Sequence, residues 1–442
     1  MAQPLTPPPS TTTGTARIAV VGGGWAGLAA AIELATAGAG VTLFESARQL
    51  GGRARRVVIN DLPLDNGQHI LLGAYRETLR LMRTVGAAPE TCLRRLPLSL
   101  TQPRDGFRLR LPRLPAPWHL ALGLAGARGC GLGEKLAAVR FMRVLEARAY
   151  RLDQDISVAE LLDRHGQRGV LRRLMWEPLC LAALNTAPEI ASAQVFANVL
   201  RDSLGGSAEA TDLLLPTTDL GQVFPDAAAR CLNARGAEIR LGTRVRAIEP
   251  PLAIDGEPFA HIVIATAPRH AAQLLAGQAE TAATAAMLSA YAHEPIGCAY
   301  LGYPDDITLP EPMLGLESSR HERLGQWAFD RGTLGGPRGL VSFVLSAEGA
   351  WDRLDDDELC RALHGELEAA LGHDLPSPRW HRVLRERRAT FSCRPGLPRP
   401  TPQTALPGLW LAGDYVYADY PGTLEGAVRS GIAAARGILA SG

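Results

Sequence analysis

The chain has 442 residues, of which 46% are hydrophobic and 21% are charged, and its formal net charge at pH 7 is +1. This balance is typical of a globular protein of about two or three domains, and it gives no electrostatic basis for binding nucleic acid. The seven cysteines form no C-x-x-C pair, which fits a reducing compartment and argues against zinc or iron–sulfur ligation. We therefore expect neither a metal ion nor a nucleic-acid partner.

The beginning of the chain and its most apolar stretch bear on location. Residues 1–15 are rich in proline and threonine, which predicts a disordered lead-in without the features of a signal peptide. The stretch from Leu114 to Ala127 is apolar but shorter than the roughly 20 residues of a spanning helix, and prolines interrupt it. These features predict a cytoplasmic protein, with a peripheral position on the inner face of the membrane as the alternative.

The segment from residue 17 to residue 45 has the pattern of a dinucleotide-binding βαβ unit. An apolar strand over 18–21 is followed by a glycine turn, a helix over 25–37 and a second strand over 41–44 that ends at Glu45. A carboxylate at this place accepts hydrogen bonds from ribose hydroxyls and disfavours a ribose phosphate, which indicates FAD or NAD.

Three glycines in the turn have G-x-G-x-x-G spacing. Gly22 permits the tight turn, and Gly24 lets the backbone approach a pyrophosphate at the positive N-terminus of the helix. Gly27 permits close packing between helix and strand. Together with the strands and the acid, the glycines predict dinucleotide binding.

Two polar segments follow this unit. Gly51 and Gly52 again place bare backbone near a partner, and Arg53 after them has the chemistry to reach a diphosphate. The D-N-G-Q-H segment, from Asp65 to His69, is either an Asn-Gly turn on the surface or a loop that faces the cofactor.

After a central block without βα alternation, the α/β character returns at Leu213. A helix is predicted over 222–235, and strands are predicted over 238–241, 245–248 and 261–266. Further strands and helices over 295–386 predict a return to a second, substrate-binding domain.

The C-terminal block predicts a strand over 409–412 that leads into Gly413 and Asp414. Thr423 and Glu425 then open a helix whose predicted packing face consists of small residues. Small residues on a packed face indicate that something flat or close lies against the helix.

Four segments together resemble the flavin-containing amine oxidase and phytoene desaturase superfamily: the βαβ unit with its glycines, D-N-G-Q-H, G-T-R-V-R-A-I-E and the terminal L-A-G-D-Y…P-G-T-L-E-G-A-V-R-S-G. The segments W-E-P-L-C-L-A-A-L-N-T and A-S-A-Q-V-F-A-N-V-L are similar to those of hydroxysqualene dehydroxylases, the squalene-associated FAD-dependent group. The similarity covers essentially the whole chain after residue 16.

The resemblance implies an α/β fold with a Rossmann-like FAD-binding domain that is discontinuous in sequence, together with an α+β substrate domain. The FAD-binding domain would comprise residues 16–95, 213–275 and 395–442. The substrate domain would comprise residues 96–212 and 276–394.

The resemblance also assigns residues to FAD. The pyrophosphate would lie on Gly22, Gly24 and Gly27, and the adenosine ribose on Glu45. Gly52 and Arg53 would support the diphosphate, and Val245 would present its backbone to the adenine. Gly413 and Asp414 would bind the ribityl or diphosphate region. The helix that opens at Thr423, Leu424 and Glu425 would direct its N-terminus at the flavin.

The implied reaction is the reductive removal of the hydroxyl of hydroxysqualene to give squalene. It needs a general acid, a dry apolar tunnel for a thirty-carbon (C30) isoprenoid lipid, and hydride from reduced FAD. Asp65 and His69 are the candidate acids, and Glu177 is a third. For Asp65 and His69 the alternative is a structural role, as a turn cap and as a backbone contact.

The partners of the reaction are also expected from the sequence. No second strand–glycine–helix unit is evident, so the electrons are expected from an external donor, a reductase or a ferredoxin. The Leu114–Ala127 stretch, with Trp118, is expected either to form part of a tunnel mouth at a membrane surface or to belong to the core of the substrate domain.

Three other functions remain open at this point. A carotenoid-type desaturase would use the same fold with hydride flowing from substrate to FAD. An amine oxidase would need a lysine at the flavin, and Lys135 is the only lysine in the chain. A non-catalytic prenyl-lipid carrier would not need the full set of cofactor motifs.

Overall fold

The computed structural model describes residues 17–115, 117–316 and 324–441, so the predicted lead-in lies outside the described residues. The strands are β1 (Arg17–Val21), β2 (Gly40–Phe44), β3 (Arg56–Ile59), β4 (Leu62–Asp65), β5 (Leu71–Leu72), β6 (Leu93–Leu96), β7 (Ser99–Gln102), β8 (Phe107–Arg110), β9 (Leu213–Pro216), β10 (Glu238–Arg240), β11 (Ala253–Ile254), β12 (Glu257–Pro258), β13 (His261–Ile264), β14 (His293–Gly302), β15 (Met313–Gly315), β16 (Trp327–Asp330), β17 (Leu340–Ser346), β18 (Trp380–Phe391) and β19 (Leu409–Leu411). The helices are α1 (Trp25–Thr36), α2 (Arg76–Thr84), α3 (Pro89–Cys92), α4 (Trp118–Gly126), α5 (Leu132–Ala147), α6 (Val158–Arg164), α7 (Gly169–Leu171), α8 (Glu177–Leu184), α9 (Ala193–Ser203), α10 (Leu220–Val223), α11 (Pro225–Ala234), α12 (Pro268–Leu275), α13 (Ala282–Ser289), α14 (Asp356–Leu371) and α15 (Leu424–Ser441).

A five-stranded parallel sheet joins three distant parts of the chain. Its order is β10-β2-β1-β13-β19, and every neighbouring pair is parallel. The central strand β1 is apolar and, after its first residue, buried, as expected for a strand covered on both faces. In such sheets the ligand site lies beyond the carboxyl ends of the strands.

Helix α1 packs against the C-terminal helix α15 at very short range. A Cβ atom added at Gly431 of α15 would lie 2.1 Å from the Ala26 carbonyl oxygen of α1. The small residues of the predicted α15 face therefore allow two helix backbones to approach each other. This contact holds the last helix of the chain against the first.

Two local predictions were wrong. Residues 245–248 form no strand but an extended loop, held where the Thr243 N–H donates to the Glu45 carbonyl oxygen at 2.9 Å. The helix expected over 222–235 is divided into α10 and α11. Phe224 has φ −149° and ψ −52°, outside the α region, because the residue before a proline is pushed away from it, and Pro225 begins α11.

A second, antiparallel sheet has the order β15-β16-β17-β14-β18. One of its faces packs on α14 in a core that includes Leu301, Phe343 and Leu363. Residues on its other face line the central cavity described below.

The described residues between 118 and 203 form a block whose regular structure is helical, α4 to α9 with a π-helical turn over Arg172–Trp176. Its core contains Phe141 and Trp176, whose rings make an edge-to-face contact at 5.4 Å. The residue limits of the two domains stay a prediction. No helix among the described residues is both long enough and apolar enough to cross a bilayer.

Candidate active site

A cavity of about 760 Å³ lies at the carboxyl ends of the parallel strands. The cavity is lined by Val21 and Phe44, the last residues of β1 and β2, and by Ala265 and Gly413, which follow β13 and β19. Its volume lies within the roughly 300–1,000 Å³ that is usual for small-molecule and cofactor sites. The cavity is therefore where the fold predicts a ligand.

The first glycine turn forms one wall of this cavity. Gly22 has φ +114°, and a Cβ atom there would lie 2.6 Å from the Ala265 carbonyl oxygen. A side chain at this position is therefore disfavoured both by the backbone conformation and by a steric clash. Gly24 lines the cavity, and a Cβ atom there would meet only the Cα of Gly52, at 3.8 Å. No other atom of the described residues occupies the space beside the Gly24 Cα, so a diphosphate could lie there at the start of α1.

Gly27 has a different place from the one that the resemblance implies. It does not line the cavity, and a Cβ atom there would lie 1.9 Å from the Gly22 carbonyl oxygen. Its role is to let α1 pack against the turn, so it would act on a bound pyrophosphate only by fixing the shape of that turn.

Glu45 lies at the end of β2 and is almost buried, with 9% of its surface exposed. One carboxylate oxygen accepts from the Gly23 N–H at 2.7 Å, and the other accepts from the Ala47 N–H at 2.7 Å. The oxygen bonded to Ala47 also accepts from the Ser46 hydroxyl at 3.2 Å. The oxygen bonded to Gly23 keeps acceptor capacity, since a carboxylate has about four lone-pair sites. The loop with Val245 lies alongside Glu45, and both line the cavity.

The second glycine pair stacks on the first turn. The Gly51 N–H donates to the Gly23 carbonyl oxygen at 2.9 Å, and Gly52 has φ +64°. A Cβ atom at Gly52 would lie 3.0 Å from the Cα of Gly24. The two turns thus form a continuous bare-backbone cradle.

Arg53 connects this cradle to the C-terminal block. Its Nη2 lies 2.8 Å from a carboxylate oxygen of Asp414, and its Nη1 donates to the Ala389 carbonyl oxygen. Asp414 is 4% exposed, and the Gly413 N–H beside it donates to the Ser430 hydroxyl at 2.8 Å. Arg53, Gly413 and Asp414 all line the cavity.

The start of α15 also lines the cavity, through Thr423 and Leu424. Glu425 differs from the prediction, because its side chain is absent from the cavity wall and is fully buried elsewhere. Its carboxylate accepts from the Thr78 N–H at 2.9 Å and the Thr78 hydroxyl at 2.7 Å, and it pairs with Arg429 at 2.7 Å. Glu425 therefore accepts hydrogen bonds from N–H groups at the start of α2 that have no partner within the helix.

The two candidate acids of the D-N-G-Q-H segment separate in space. Asp65 does not line the cavity; its carboxylate accepts from the Leu220 N–H at 2.7 Å, at the start of α10. Burial raises the pKa of Asp65 to about 6. Asp65 therefore has a structural role, as one of the two alternatives predicted, but it caps a helix and not a turn.

His69 lines the cavity, and its Nδ1 lies 2.8 Å from the Gly67 carbonyl oxygen. Burial and the nearby Arg53 cation lower the pKa of His69, so the neutral ring is favoured near pH 7. A carbonyl accepts only from N–H, so Nδ1 carries the proton and Nε2 is the free atom. Among the predicted acids, His69 is the one that the structure places at the cavity.

Two other side chains lie away from the cavity. Glu177 pairs with Arg172 at 2.7 Å and does not line the cavity. Lys135 donates to the Ala125 and Ala127 carbonyl oxygens at 2.8 and 2.7 Å, at the end of α4. The cavity thus has no lysine, because residue 135 is the only lysine in the chain.

The part of the cavity wall that the antiparallel sheet contributes is mostly apolar, and its residues were not predicted from the sequence. Ile296, Trp327, Phe329, Val344 and Leu384 of the antiparallel sheet contribute to its wall. Strand β16 places Trp327 and Phe329 on one face by the period of two, a signal that could have identified them from the sequence W-A-F-D.

A second cavity of about 120 Å³ shares wall residues with the first. Tyr75, Ala183 and Thr423 are among the residues that line both cavities. Most of its other wall residues are aliphatic or aromatic, including Leu98 and Phe196. The main cavity is therefore adjacent to a smaller, mostly apolar one.

The residues fit a flavin dinucleotide. A bare-backbone cradle precedes the N-terminus of α1, a carboxylate follows β2, and the cavity wall includes a group of apolar residues. Thr266 also lines the cavity, and its buried hydroxyl has no hydrogen-bond partner among the described residues, as expected for a wall that faces a polar ligand. Fold and site define a dinucleotide-dependent oxidoreductase whose site is closed by both ends of the chain.

The chain belongs to the flavin-containing amine oxidoreductase family, whose sequence profile matches residues 25–439. A hydroxysqualene dehydroxylase from Rhodopseudomonas palustris is 30% identical, over 96% of this chain and 98% of that protein. A probable zeta-carotene desaturase from Synechococcus elongatus is 28% identical, over 53% of this chain and 51% of that protein. The structure of cyclohexylamine oxidase from Brevibacterium oxydans covers 97% of this chain, with a TM-score of 0.65 at 19% identity, and it shows the same fold.

Proposed function

We propose that this protein is an FAD-dependent dehydroxylase that reduces hydroxysqualene to squalene. The observation that carries the proposal is the cavity itself: Gly24 and Thr423, from opposite ends of the chain, line one cofactor-sized space, and a mostly apolar cavity is adjacent to it. The similarity to a hydroxysqualene dehydroxylase over nearly the whole length of both chains supports it, whereas the similarity to the desaturase covers about half of each.

The reaction balances with one hydride and one proton. The allylic C–O bond breaks as the hydroxyl takes a proton and leaves as water, and a C–H bond forms at the resulting allylic cation. Reduced FAD, when bound, supplies the hydride and thereby both electrons. The chain must supply the proton route and a dry site, since water would otherwise recapture the cation.

We infer that different residues of the cavity wall bind different parts of FAD. Gly22 and Gly24 would hold the pyrophosphate together with Gly52 and Arg53, and Glu45 the ribose. Val245 would meet the adenine through its backbone, and Gly413 and Asp414 the ribityl or diphosphate region. The N-terminus of α15, at Thr423 and Leu424, would stabilise negative charge on the reduced ring by roughly 0.3–2 kcal/mol.

His69 is the residue we propose for proton transfer. It lies at the cavity, and its free Nε2 is the atom that can exchange a proton with a bound hydroxyl. Its lowered pKa means that the protonated fraction is small near pH 7 and grows as the pH falls. Protonation for catalysis therefore becomes easier in acidic solution.

The physical origin of selectivity follows from the size of the substrate. Burial of thirty carbons at about 0.8 kcal/mol each corresponds to about 24 kcal/mol relative to water, above the practical affinity ceiling of roughly 18–21 kcal/mol. The relevant starting state is the bilayer, where the lipid is already dry. Discrimination must therefore come from hydrogen bonds to the one hydroxyl.

The remaining partners are part of the same proposal. We propose that the electrons reach FAD from an external donor, a reductase or a ferredoxin, and that the protein collects its substrate at a membrane surface. Both would be tested by reconstitution with candidate donors and with vesicles that contain hydroxysqualene.

The reaction is tested by product analysis. Purified protein, reduced chemically under anaerobic conditions, is incubated with hydroxysqualene, and the lipids are extracted and separated. Squalene as the product supports the proposal. Formation of a more unsaturated product by the oxidised protein, without squalene from the reduced protein, would indicate a desaturase instead.

A further inference from the structure

Exposed apolar side chains are concentrated in one short part of the chain. Of the ten large hydrophobic residues that are exposed in the described part, six lie between positions 114 and 139. These six are Leu114, Trp118, Leu122, Leu132, Leu136 and Val139. Scattered exposed apolar residues need no explanation, but a cluster of this kind marks an interaction surface.

Five of the six residues lie on two helices that contact each other, α4 and α5, and Leu114 lies just before α4. On α5, Leu132, Leu136 and Val139 have the spacing of one helical face, and Leu132 is 72% exposed. The same helix holds the end of α4, because the Lys135 ammonium donates to the Ala125 and Ala127 carbonyl oxygens. The two helices that carry the exposed apolar residues are therefore held together at the end of α4.

The same part of the chain is strongly basic. Residues 104–151 contain ten lysines and arginines and three aspartates and glutamates, a net charge of +7, whereas the whole chain carries +1. Arg113, Arg128 and Arg140 are exposed and form no ion pair with the described residues. Apolar side chains with free cations beside them are typical of a helix that lies in an anionic lipid interface.

We propose that this docking face, formed by the exposed residues of 113–140, lies on a bilayer surface that contains anionic phospholipid. The apolar side chains would enter the interface, and the arginines would contact the lipid phosphates. The proposal rests on the proposed function for its purpose, since a lipid substrate reaches the site from the bilayer. A second copy of this chain is a poorer occupant, because two faces of the same high charge repel each other.

The docking face is close to the oily cavity. Leu98 lines that cavity and accepts a hydrogen bond from the Leu111 N–H at 3.0 Å. A Cβ atom added at Gly123 of α4 would lie 2.3 Å from the Leu111 side chain. Helix α4 thus lies one residue layer outside the cavity wall, where a lipid leaving the membrane would enter.

The test measures binding of the holoprotein to vesicles of phosphatidylcholine alone and of phosphatidylcholine with phosphatidylglycerol. The apolar variant is Leu132→Glu/Leu136→Glu, and its control is Val58→Glu/Leu439→Glu at exposed apolar sites elsewhere. The basic variant is Arg128→Gln/Arg140→Gln, and its control is Arg230→Gln/Arg269→Gln at exposed arginines elsewhere.

The wild type should bind the anionic vesicles, and added salt should weaken the binding. The basic variant should bind about 25-fold more weakly, since each cation near the surface contributes about fivefold. The apolar variant should bind at least about tenfold more weakly, and both controls should bind like the wild type. The proposal is overturned if the wild type does not prefer anionic vesicles, or if both docking-face variants bind like their controls. A variant that changes only the oligomeric state would assign the face to a second copy and overturn it as well.

Dehydroxylation in detergent micelles separates this proposal from the proposed function. The docking-face variants should keep their activity there and lose it with vesicle-embedded substrate. Vesicle binding by a protein that is inactive in micelles would leave the docking face standing and reject the dehydroxylase. Activity in micelles without vesicle binding by the wild type would do the reverse.

Discussion

The Arg53 guanidinium lies 2.8 Å from the Asp414 carboxylate, and this ion pair joins the N-terminal glycine turns to the C-terminal block across the cavity wall. Asp414 is almost completely buried, whereas 36% of the Arg53 side chain is exposed. The arginine is thus placed to meet both the carboxylate and a ligand in the cavity. This pair is one of the links between the two distant segments that form the site.

Asp414→Asn should weaken both the fold and FAD retention. The variant leaves the arginine without its charged partner, and we expect the free energy of unfolding to fall by about 1–3 kcal/mol. Urea unfolding and the ratio of bound flavin to protein measure the two effects. The control is Asp226→Asn, which removes an ion pair of Arg56 on the surface and should cost no more than about 1 kcal/mol while leaving FAD bound. Equal flavin loss in both variants would contradict the assignment.

The glycines of the first turn should divide into a binding and a packing class. Gly24→Ala adds a methyl group that meets only Gly52 at 3.8 Å, so we expect a folded protein that binds FAD at least about tenfold more weakly, a cost of at least about 1.4 kcal/mol. Gly27→Ala drives a methyl group into the Gly22 carbonyl and should destabilise the fold by about 1–3 kcal/mol or more. Melting temperatures of the FAD-free proteins, together with FAD titrations, separate the two. A stable Gly27→Ala protein would show that this packing is misjudged.

Glu425 should act on stability. Glu425→Ala leaves Arg429 and the N–H groups at the start of α2 without their buried acceptor, which should cost about 3–5 kcal/mol. The milder variant Thr78→Val removes one hydrogen bond to the same carboxylate and should cost about 1–2 kcal/mol. In both, the folded fraction should keep the flavin absorbance spectrum of the wild type. A shifted flavin spectrum with unchanged stability would indicate that Glu425 contacts the cofactor instead.

The pH dependence of the reductive step should depend on His69. Because burial and Arg53 lower the pKa of His69, its protonated form is a minor species near pH 7. The single-turnover rate should therefore rise as the pH falls toward the histidine pKa, and His69→Gln should remove this dependence while FAD stays bound. Asp65 also titrates in this range, with a pKa of about 6, so Asp65→Asn is the control that should keep the wild-type profile. The opposite pattern in the two variants would make Asp65 the group that titrates.

A larger side chain where the two cavities meet should block the long substrate. Ala183 lines both cavities, and Ala183→Leu would fill part of a space of about 120 Å³. We expect normal FAD binding, a large loss of turnover with hydroxysqualene and retained turnover with a short allylic alcohol. Equal losses for the long and the short alcohol would show that the second cavity is not the substrate passage.

Local signals in the sequence were sufficient to predict the βαβ unit, because strand, turn and helix are specified by neighbouring residues. The loop with Val245 was predicted as a strand, since its apolar residues alternate with arginines. In the structure a hydrogen bond from Thr243 to Glu45 fixes its course instead. Such a contact joins residues far apart in sequence, and no local pattern reports it.

Contacts between residues far apart in sequence also explain why two carboxylates were predicted at the site but lie elsewhere. Asp65 and Glu425 each accept from the start of a helix that is remote in sequence, Leu220 in one case and Thr78 in the other. The sequence shows that such a carboxylate exists but not which N–H groups it will meet. The apolar wall residues of β16 were not predicted, because the sequence does not show which face of the antiparallel sheet lines the cavity.

The central claim is that hydride passes from reduced FAD in this cavity to a lipid in the oily space. The most direct measurement is an anaerobic single turnover, in which hydroxysqualene is added to the fully reduced protein while the visible absorbance of the flavin and the squalene yield are followed together. The account predicts reoxidation of the flavin with one squalene formed per flavin. Flavin that stays reduced, or that reoxidises without squalene, would contradict it.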